Sequence, residues 1–105
     1  MYYYVYILKS IKNGSLYIGF TTNLKKRVEI HNSGKSKATK PFIPYQLIFY
    51  EAFLDKNDAK NRERYLKGGY GRKTIKSMLV KYLNQNPVEI NKEITSKVHS
   101  PKTKD

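Results

Sequence analysis

The sequence predicts an α+β domain in which a small, three-stranded, mainly antiparallel sheet is flanked by three helices, in the order ββαβαα. Two runs rich in aromatic and β-branched residues are joined by Asn13-Gly14, a dipeptide typical of a tight hairpin. A third such run begins near residue 45, and three segments with helical periodicity accompany these runs. With 105 residues, 39% of them hydrophobic, the chain can bury one compact core but not two.

The strands alternate in a way that separates two faces of the sheet. The three predicted strands cover residues 2–9, 15–20 and 45–53. Side chains on a strand point alternately to opposite faces, and Tyr17 should therefore be a near neighbour of Tyr6 across the hairpin. The predicted faces of the first strand are Tyr4, Tyr6 and Leu8 on one side and Tyr3, Val5 and Ile7 on the other.

Each predicted helix has recognisable start and stop signals. The first begins after a cap at Thr22 or Asn23 and ends near Asn32, before Ser33-Gly34. The second covers 56–67, with Asp55 as its cap and Gly68-Gly69 at its end. The third covers 72–84 and is closed by Pro87. Its apolar stripe consists of Ile75, Met78, Leu79, Tyr82 and Leu83.

The chain is expected to divide into a folded domain, residues 1–87, and a tail, residues 88–105. The tail is rich in lysine, has no periodicity and is predicted to be disordered. No run resembles a signal peptide or reaches the length of a membrane span, so a cytoplasmic protein is expected. The absence of cysteine excludes disulfides and thiolate zinc sites.

The charge balance points to a polyanionic partner. Twenty-one Lys and Arg face eight Asp and Glu, which gives a net charge of +13. Nucleic acid is the simplest partner for so basic a small chain, with a ribosome-associated protein or a merely solubilising surface as alternatives. No helix combines a broad apolar face with a basic one, so a membrane surface is disfavoured. Candidate phosphate contacts are Lys35, Lys37, Lys40, Arg72, Lys73 and Lys76.

Polar residues lie on or beside the apolar stripes of the first two helices. At 100° per residue, His31 shares a face with Leu24 and Val28, and Arg27 lies at its edge. Such residues either serve a site at the sheet, or Arg27 extends to solvent and His31 stabilises the helix C-terminus. Glu63 occupies the stripe of the second helix, where a carboxylate needs a cation or an ion-pair partner such as Arg27 or Arg62.

These residues resemble a known family. The tripeptides "YVY" at 4–6 and "YIG" at 17–19, then Arg27 and His31, then Glu63 within "NRERYLKGGYG", are similar to the GIY-YIG nuclease superfamily. The resemblance spans roughly residues 2–83 and is strongest to its small standalone bacterial members. It implies a three-stranded antiparallel sheet flanked by helices.

The resemblance also implies an activity. It implies a DNA endonuclease that hydrolyses phosphodiesters with one divalent metal, Mg²⁺ or Mn²⁺, is structure-selective or nonspecific, and acts in repair or recombination. Tyr17 would be the general base or would align the attacking water, and Tyr6 would support it. Arg27 would stabilise charge on the phosphate, His31 would assist proton transfer or positioning, and Glu63 would hold the metal. The ordinary pKa of tyrosine, about 10, is too high for a general base at neutral pH, so a nearby cation would have to lower the pKa of Tyr17 for that role.

The sequence departs from the family pattern at three places. Tyr4 replaces a glycine, Phe20 replaces a lysine found in the excision-repair branch, and a late asparagine has no counterpart. The missing lysine and asparagine, together with the net charge of +13, support a second hypothesis, a non-catalytic nucleic-acid-binding module that retains the fold. The single inward carboxylate suits an ion held by few protein ligands and several waters. DNA is the expected partner. A protein partner that targets the chain to DNA is possible in this interpretation, and the oligomeric state of the chain is left open.

Overall fold

The protein, described here from a computed structural model, is defined for residues 1–86. The hairpin, the first helix and the third strand precede three further helices at the C-terminal side. The elements are β1 (Tyr3–Ser10), β2 (Leu16–Thr21), α1 (Leu24–Asn32), a short 3-10 turn (Lys40–Phe42), β3 (Tyr45–Phe53), α2 (Lys56–Lys67), α3 (Gly71–Met78) and α4 (Val80–Gln85). The predicted α+β class is confirmed, with four α-helices in place of the three expected.

The three strands form one antiparallel sheet with β1 at its centre, in the order β2-β1-β3. Gly14 has φ 78°, a left-handed conformation that favours glycine, and the Asn13 side chain accepts a hydrogen bond from the Ser15 backbone N–H at 2.9 Å. The register places Tyr6 opposite Gly19 on one side and Tyr50 on the other. The hairpin signal in the sequence therefore sets the pairing on which the site depends.

The first two helices begin at side-chain caps. Asn23, one of the two predicted candidates, accepts a hydrogen bond from the backbone N–H of Lys26 at 3.1 Å. Asp55 caps α2 by accepting from the backbone N–H groups of Asn57 and Asp58. These caps explain why α1 and α2 begin where they do, and α2 and β3 have the predicted bounds.

The two faces of β1 are covered by different helices. One face contributes Val5 and Ile7 to an aliphatic cluster completed by Ile18, Ala59, Leu66 and Ile75, which brings α2 and α3 onto this side. The other face contributes Tyr6 and Leu8 to a cluster with Tyr17 and Tyr45, and α1 packs there through Leu24 and Val28. We call these the aliphatic face and the aromatic face; the predicted alternation of the strand is confirmed.

The prediction of a single third helix over 72–84 is wrong. The segment forms α3 and α4, which are separated at Leu79, where φ is −114° and ψ is 28°. Ile75 is buried, while Met78 and Leu79 are only partly buried against the aliphatic face. No glycine or proline lies at the break, so the usual helix-breaking residues give no sign of it in the sequence.

Residues 87–105 lie outside the described part of the chain. The predicted closure by Pro87, the boundary after residue 87 and the disordered tail therefore remain predictions. Within residues 1–86, every helix is too short or too polar to cross a lipid bilayer.

Candidate active site

The Tyr6 side chain crosses the neighbouring strand at a glycine. Gly19 lies opposite Tyr6 in the β1–β2 register, and a Cβ atom at position 19 would overlap the Tyr6 phenol. Because no side chain blocks its way, the ring passes over β2, and its hydroxyl comes within 2.9 Å of His31 Nε2. The glycine of the "YIG" tripeptide thus has a direct steric role in bringing Tyr6 to α1.

His31 is fully buried and is hydrogen-bonded through both ring nitrogens. Nε2 pairs with the Tyr6 hydroxyl, and Nδ1 lies 2.9 Å from Thr39 Oγ1. Thr39 in turn donates to the Ser36 carbonyl over 3.5 Å. If Thr39 donates there, it accepts from Nδ1–H, and Nε2 accepts the Tyr6 proton, which is the pattern of a neutral imidazole. Thr39 gave no signal in the sequence, because it lies in a loop without periodicity.

Tyr17 completes a compact group of rings on the aromatic face. Its ring centroid is 4.8 Å from that of His31 and 6.3 Å from that of Tyr6. We call Tyr6, Tyr17 and His31 the aromatic triad. Arg27 lies one helical turn before His31 on α1 and is half-buried. The proximity of Tyr6 and Tyr17, expected from the strand pattern, is confirmed.

Glu63 approaches from the other side of the sheet. It lies on α2, whose buried residues belong to the aliphatic face, and its carboxylate pairs with Lys67 Nζ at 3.0 Å and Lys60 Nζ at 3.8 Å. Lys60 Nζ also lies 4.4 Å from the ring centroid of Phe20 on β2. Glu63 therefore occupies the flank of α2 that faces the β2 edge of the sheet, rather than the ring-lined face itself.

The opposite flank of α2 faces β3. Arg62 donates two hydrogen bonds to the Glu51 carboxylate, at 2.8 and 3.1 Å, and this contact raises the pKa of the Arg62 guanidinium above its usual range. The alternative in which Glu63 pairs with Arg62 is therefore wrong, because the two side chains project from opposite flanks of the helix. Glu63 uses the lysines one turn before and after it instead.

Residues 2–76 match the family model described as "GIY-YIG catalytic domain". The chain belongs to the GIY-YIG family. The match covers both tripeptides, the whole aromatic triad, Arg27 and Glu63. The nuclease-type domain inferred from the motifs is thereby confirmed at the level of the family.

Relatives of this GIY-YIG chain are small bacterial proteins. It is 48% identical over 65 residues to UPF0213 protein CPE1444 of Clostridium perfringens, covering 61% of this chain and 69% of that protein. It is 37% identical over 89 residues to a UPF0213 protein of Pediococcus pentosaceus, covering 84% and 87%. A solution NMR structure of the UPF0213 protein BH0048 from Bacillus halodurans has 38% identity, coverage of 77% and 86%, and a TM-score of 0.49.

The carboxylates of this GIY-YIG domain are dispersed rather than clustered. Within residues 1–86, no group of three or more His, Cys, Asp or Glu side chains could enclose an ion. Glu63 is the inward candidate; Asp55 serves as a helix cap and Glu51 binds Arg62. A hard cation held by Glu63 would keep most of its waters, as Mg²⁺ commonly does, and would compete with Lys60 and Lys67 for the carboxylate.

The candidate phosphate contacts of the GIY-YIG domain form two groups. Lys35, Lys37 and Lys40 are exposed in the loop after α1, which is anchored on the aromatic face by Ala38 and Phe42. Lys73 and Lys76 are exposed on α3 and Arg72 is half-buried, and α3 packs on the aliphatic face. The two groups therefore lie on opposite sides of the sheet, an arrangement that the sequence did not predict.

Proposed function

We propose that the protein is a Mg²⁺- or Mn²⁺-dependent DNA endonuclease that hydrolyses phosphodiester bonds in the cytoplasm. We further propose that it is structure-selective or nonspecific and acts in repair or recombination. The observation that carries the proposal is the aromatic triad beside Arg27, within a GIY-YIG catalytic domain. A buried, hydrogen-bonded His–Tyr pair beside a second phenol is a costly arrangement to keep if packing were its only purpose.

Exposure suggests how the proposed roles divide. Tyr6 and His31 have relative exposures of 1% and 0%, so they are suited to positioning Tyr17 rather than to touching DNA. Tyr17 keeps 6% exposure and Arg27 is half-buried, so these two are the members that can meet a phosphate. Tyr17 would align or deprotonate the attacking water, and Arg27 would stabilise the negative charge that develops on the phosphoryl oxygens.

Glu63 would hold the metal at the β2 edge. The ion, when bound, would neutralise phosphate charge and favour an ionised nucleophile. Lys60 and Lys67 now pair with the Glu63 carboxylate. When Glu63 binds the metal, these two ammonium groups would lie close enough to pair with the phosphate instead. The scissile phosphate would then lie at the edge of the sheet, between the α1 side and the α2 side.

DNA would be gripped through its backbone rather than read by sequence. The six proposed contacts Lys35, Lys37, Lys40, Arg72, Lys73 and Lys76 carry no pattern suited to base readout. Engagement of six phosphates predicts a slope of roughly −5 in log K against log salt. A protein partner that brings the enzyme to its DNA is compatible with such nonspecific binding.

The test is cleavage of branched, nicked and plain duplex DNA with Mg²⁺ or Mn²⁺. Glu63→Gln keeps the shape of the side chain and removes the charge, so it should lower the cleavage rate by roughly 100-fold or more. Glu29→Gln is the matched control, because it removes an exposed carboxylate from α1 and should cut like wild type. Equal cutting by wild type and Glu63→Gln would show that the metal is not held there.

The second candidate is a non-catalytic nucleic-acid-binding module. The observation that favours it is the Glu63 carboxylate, which is already neutralised by Lys67 at 3.0 Å and Lys60 at 3.8 Å. This candidate predicts salt-sensitive DNA binding that Glu63→Gln does not weaken, with no cleavage by any divalent metal. A preference for RNA in competition would instead indicate an RNA-associated protein.

A further inference from the structure

An exposed cluster of tyrosines lies on the aromatic face, next to the triad. Tyr2 and Tyr50 have relative exposures of 49% and 53%, and Tyr4 is half-buried between them. The ring centroids of Tyr2 and Tyr4 are 6.5 Å apart, and those of Tyr4 and Tyr50 are 6.0 Å apart. We call Tyr2, Tyr4 and Tyr50 the tyrosine platform. Exposed, mutually touching rings of this kind mark an interaction surface rather than a core.

The platform continues the surface that contains the proposed chemistry. Tyr50 pairs directly with Tyr6 across β1 and β3, so both side chains leave the sheet on the same face. Tyr4 precedes Tyr6 by two residues and shares that face as well. A ligand lying on the platform would therefore be adjacent to the triad, within one or two strand positions of Tyr6.

The charge around the platform favours a polyanionic ligand, and its aromatic rings favour a ligand with flat faces. The strand residues on this face carry no acidic side chain, and Glu51, the acid of β3, points to the other face and binds Arg62. Tyr4 pairs with Thr21, and α1 begins three residues later with exposed Lys25 and Lys26 in its first turn. Aromatic faces bordered by lysines are the features that bind bases by stacking and phosphates by charge.

We propose that the tyrosine platform binds unpaired nucleobases, so that the substrate class of this domain is DNA with single-stranded character. The inference rests on the proposed nuclease function for its placement beside a cleavage site. Bases within an intact duplex are stacked on one another and expose no faces, whereas flaps, loops and single strands do. The platform therefore supplies a preference for structure without reading sequence, because every base has a π-face.

The test is equilibrium binding in EDTA, where no metal-dependent cleavage occurs. The probes are fluorescein-labelled oligothymidylate of about 16 nucleotides, an abasic strand with the same number of phosphates, and a duplex of equal length. Tyr50→Ala and Tyr4→Ala should each raise the Kd for oligothymidylate by about 5- to 150-fold. The Kd for the abasic strand and the duplex should stay within about 3-fold of wild type.

Two further variants separate stacking from other effects. Tyr50→Phe keeps the ring and should bind oligothymidylate like wild type, whereas Tyr50→Leu keeps an apolar side chain without a π-face and should bind like Tyr50→Ala. Tyr70→Ala is the matched control, because Tyr70 is 71% exposed and lies at the start of α3, on the aliphatic side. Its Kd should not change.

The outcomes of the two proposals can be told apart. If the Ala variants bind oligothymidylate as tightly as wild type, or weaken duplex binding equally, the platform is not a base-stacking site, whatever the cleavage assay shows. If Tyr50→Ala only changes the self-association of the protein in sedimentation, the platform is a dimer contact and the inference is overturned. If the variants lose single-strand binding while wild type cleaves nothing with Mg²⁺ or Mn²⁺, the platform stands and the nuclease function fails.

Discussion

The two faces of β1 belong to the same strand but bury different kinds of side chain. On the aliphatic face, Val5 and Ile7 pack in a buried cluster with residues of α2 and α3, and the buried members of this cluster carry no polar side-chain atom. On the aromatic face, Tyr6 and Leu8 share their cluster with two further tyrosines, and His31 and Thr39 are buried beside them. Burying phenols, an imidazole and a hydroxyl is favourable only when each finds a partner.

The comparison shows where stability and chemistry are separated in a domain of this size. The aliphatic face can supply hydrophobic stabilisation without constraints on polar atoms, and the aromatic face can then hold groups whose positions are set by hydrogen bonds. Within residues 1–86, every buried side-chain nitrogen and oxygen has a hydrogen-bond partner. The aromatic face is thus a satisfied polar network, and removing one partner should cost more there than at the surface.

The largest expected effect comes from Gly71, on the aliphatic face. A Cβ atom there would collide with the backbone of Leu66 at the end of α2, and backbone cannot move aside as a flexible side chain can. Gly71→Ala should therefore lower the free energy of unfolding by about 3 kcal/mol or more, measured by urea denaturation.

Gly69→Ala is the matched control for Gly71→Ala. A Cβ atom at Gly69 would meet nothing within 4 Å, and its backbone does not have the positive φ that favours glycine. This variant should change the free energy of unfolding by less than about 1 kcal/mol. Comparable losses in the two variants would contradict the close approach of α3 to α2.

A smaller effect is expected from Thr39, on the aromatic face. Thr39→Val has nearly the same shape but leaves the buried His31 Nδ1 without its hydroxyl partner. The free energy of unfolding should fall by about 1–3 kcal/mol, as for other unsatisfied buried groups. Cleavage per folded molecule should fall as well, because Thr39 and Tyr6 hold the same imidazole.

Two further variants serve as controls for Thr39→Val. Thr39→Ser restores the hydroxyl and should recover most of the lost stability and activity. Thr74→Val removes a hydroxyl that lies 2.7 Å from the Tyr65 hydroxyl in an exposed position, so it should cost less than about 1 kcal/mol. If the two Val variants were equally stable, the polar network around His31 would not be a special feature of the aromatic face.

The parts of the fold that the sequence predicted well have local causes. Strand β3 and helix α2 have the predicted bounds because aromatic and β-branched residues, the Asp55 cap and Gly68 act within a few residues. The break at Leu79 has no such cause, since the stripe of apolar residues continues through it. No glycine, proline or change of periodicity in the sequence therefore marks the residue at which α3 ends.

The candidate site was predictable in proportion to how far its residues depend on strand and helix periods. Tyr6 and Tyr17 come together by strand alternation, and the 3.6-residue period turns His31 toward them. Thr39 could not be found, because only the folded loop after α1 brings it to His31. The partners of Glu63 were missed because the flank of α2 that faces β2 depends on strand order, which residue spacing does not reveal.

The smallest expected effect concerns Tyr45, a buried member of the aromatic face. Burial raises the pKa of the Tyr45 phenol above its ordinary value, although a side-chain hydrogen bond with Ser15 acts in the opposite direction. Tyr45→Phe removes that hydrogen bond and should lower the free energy of unfolding by about 1 kcal/mol at pH 7. The folded state thus prefers the neutral phenol, and the ordinary pKa of about 10 applies to the unfolded chain.

The sign of the pH dependence of Tyr45 follows from that preference. The stability that the wild type gains from the neutral phenol is fully present below the unfolded pKa of about 10 and is lost as the pH rises through the higher folded value. The stability difference between wild type and Tyr45→Phe should therefore shrink above about pH 10 in urea denaturation. The ring of Tyr45 lies against the aromatic face, so its phenol should ionise at a higher pH than an exposed tyrosine. Comparing the absorbance of wild type and Tyr45→Phe at high pH should show this late ionisation. A difference in stability that stays constant or grows with pH would mean that Tyr45 ionises freely in the folded protein.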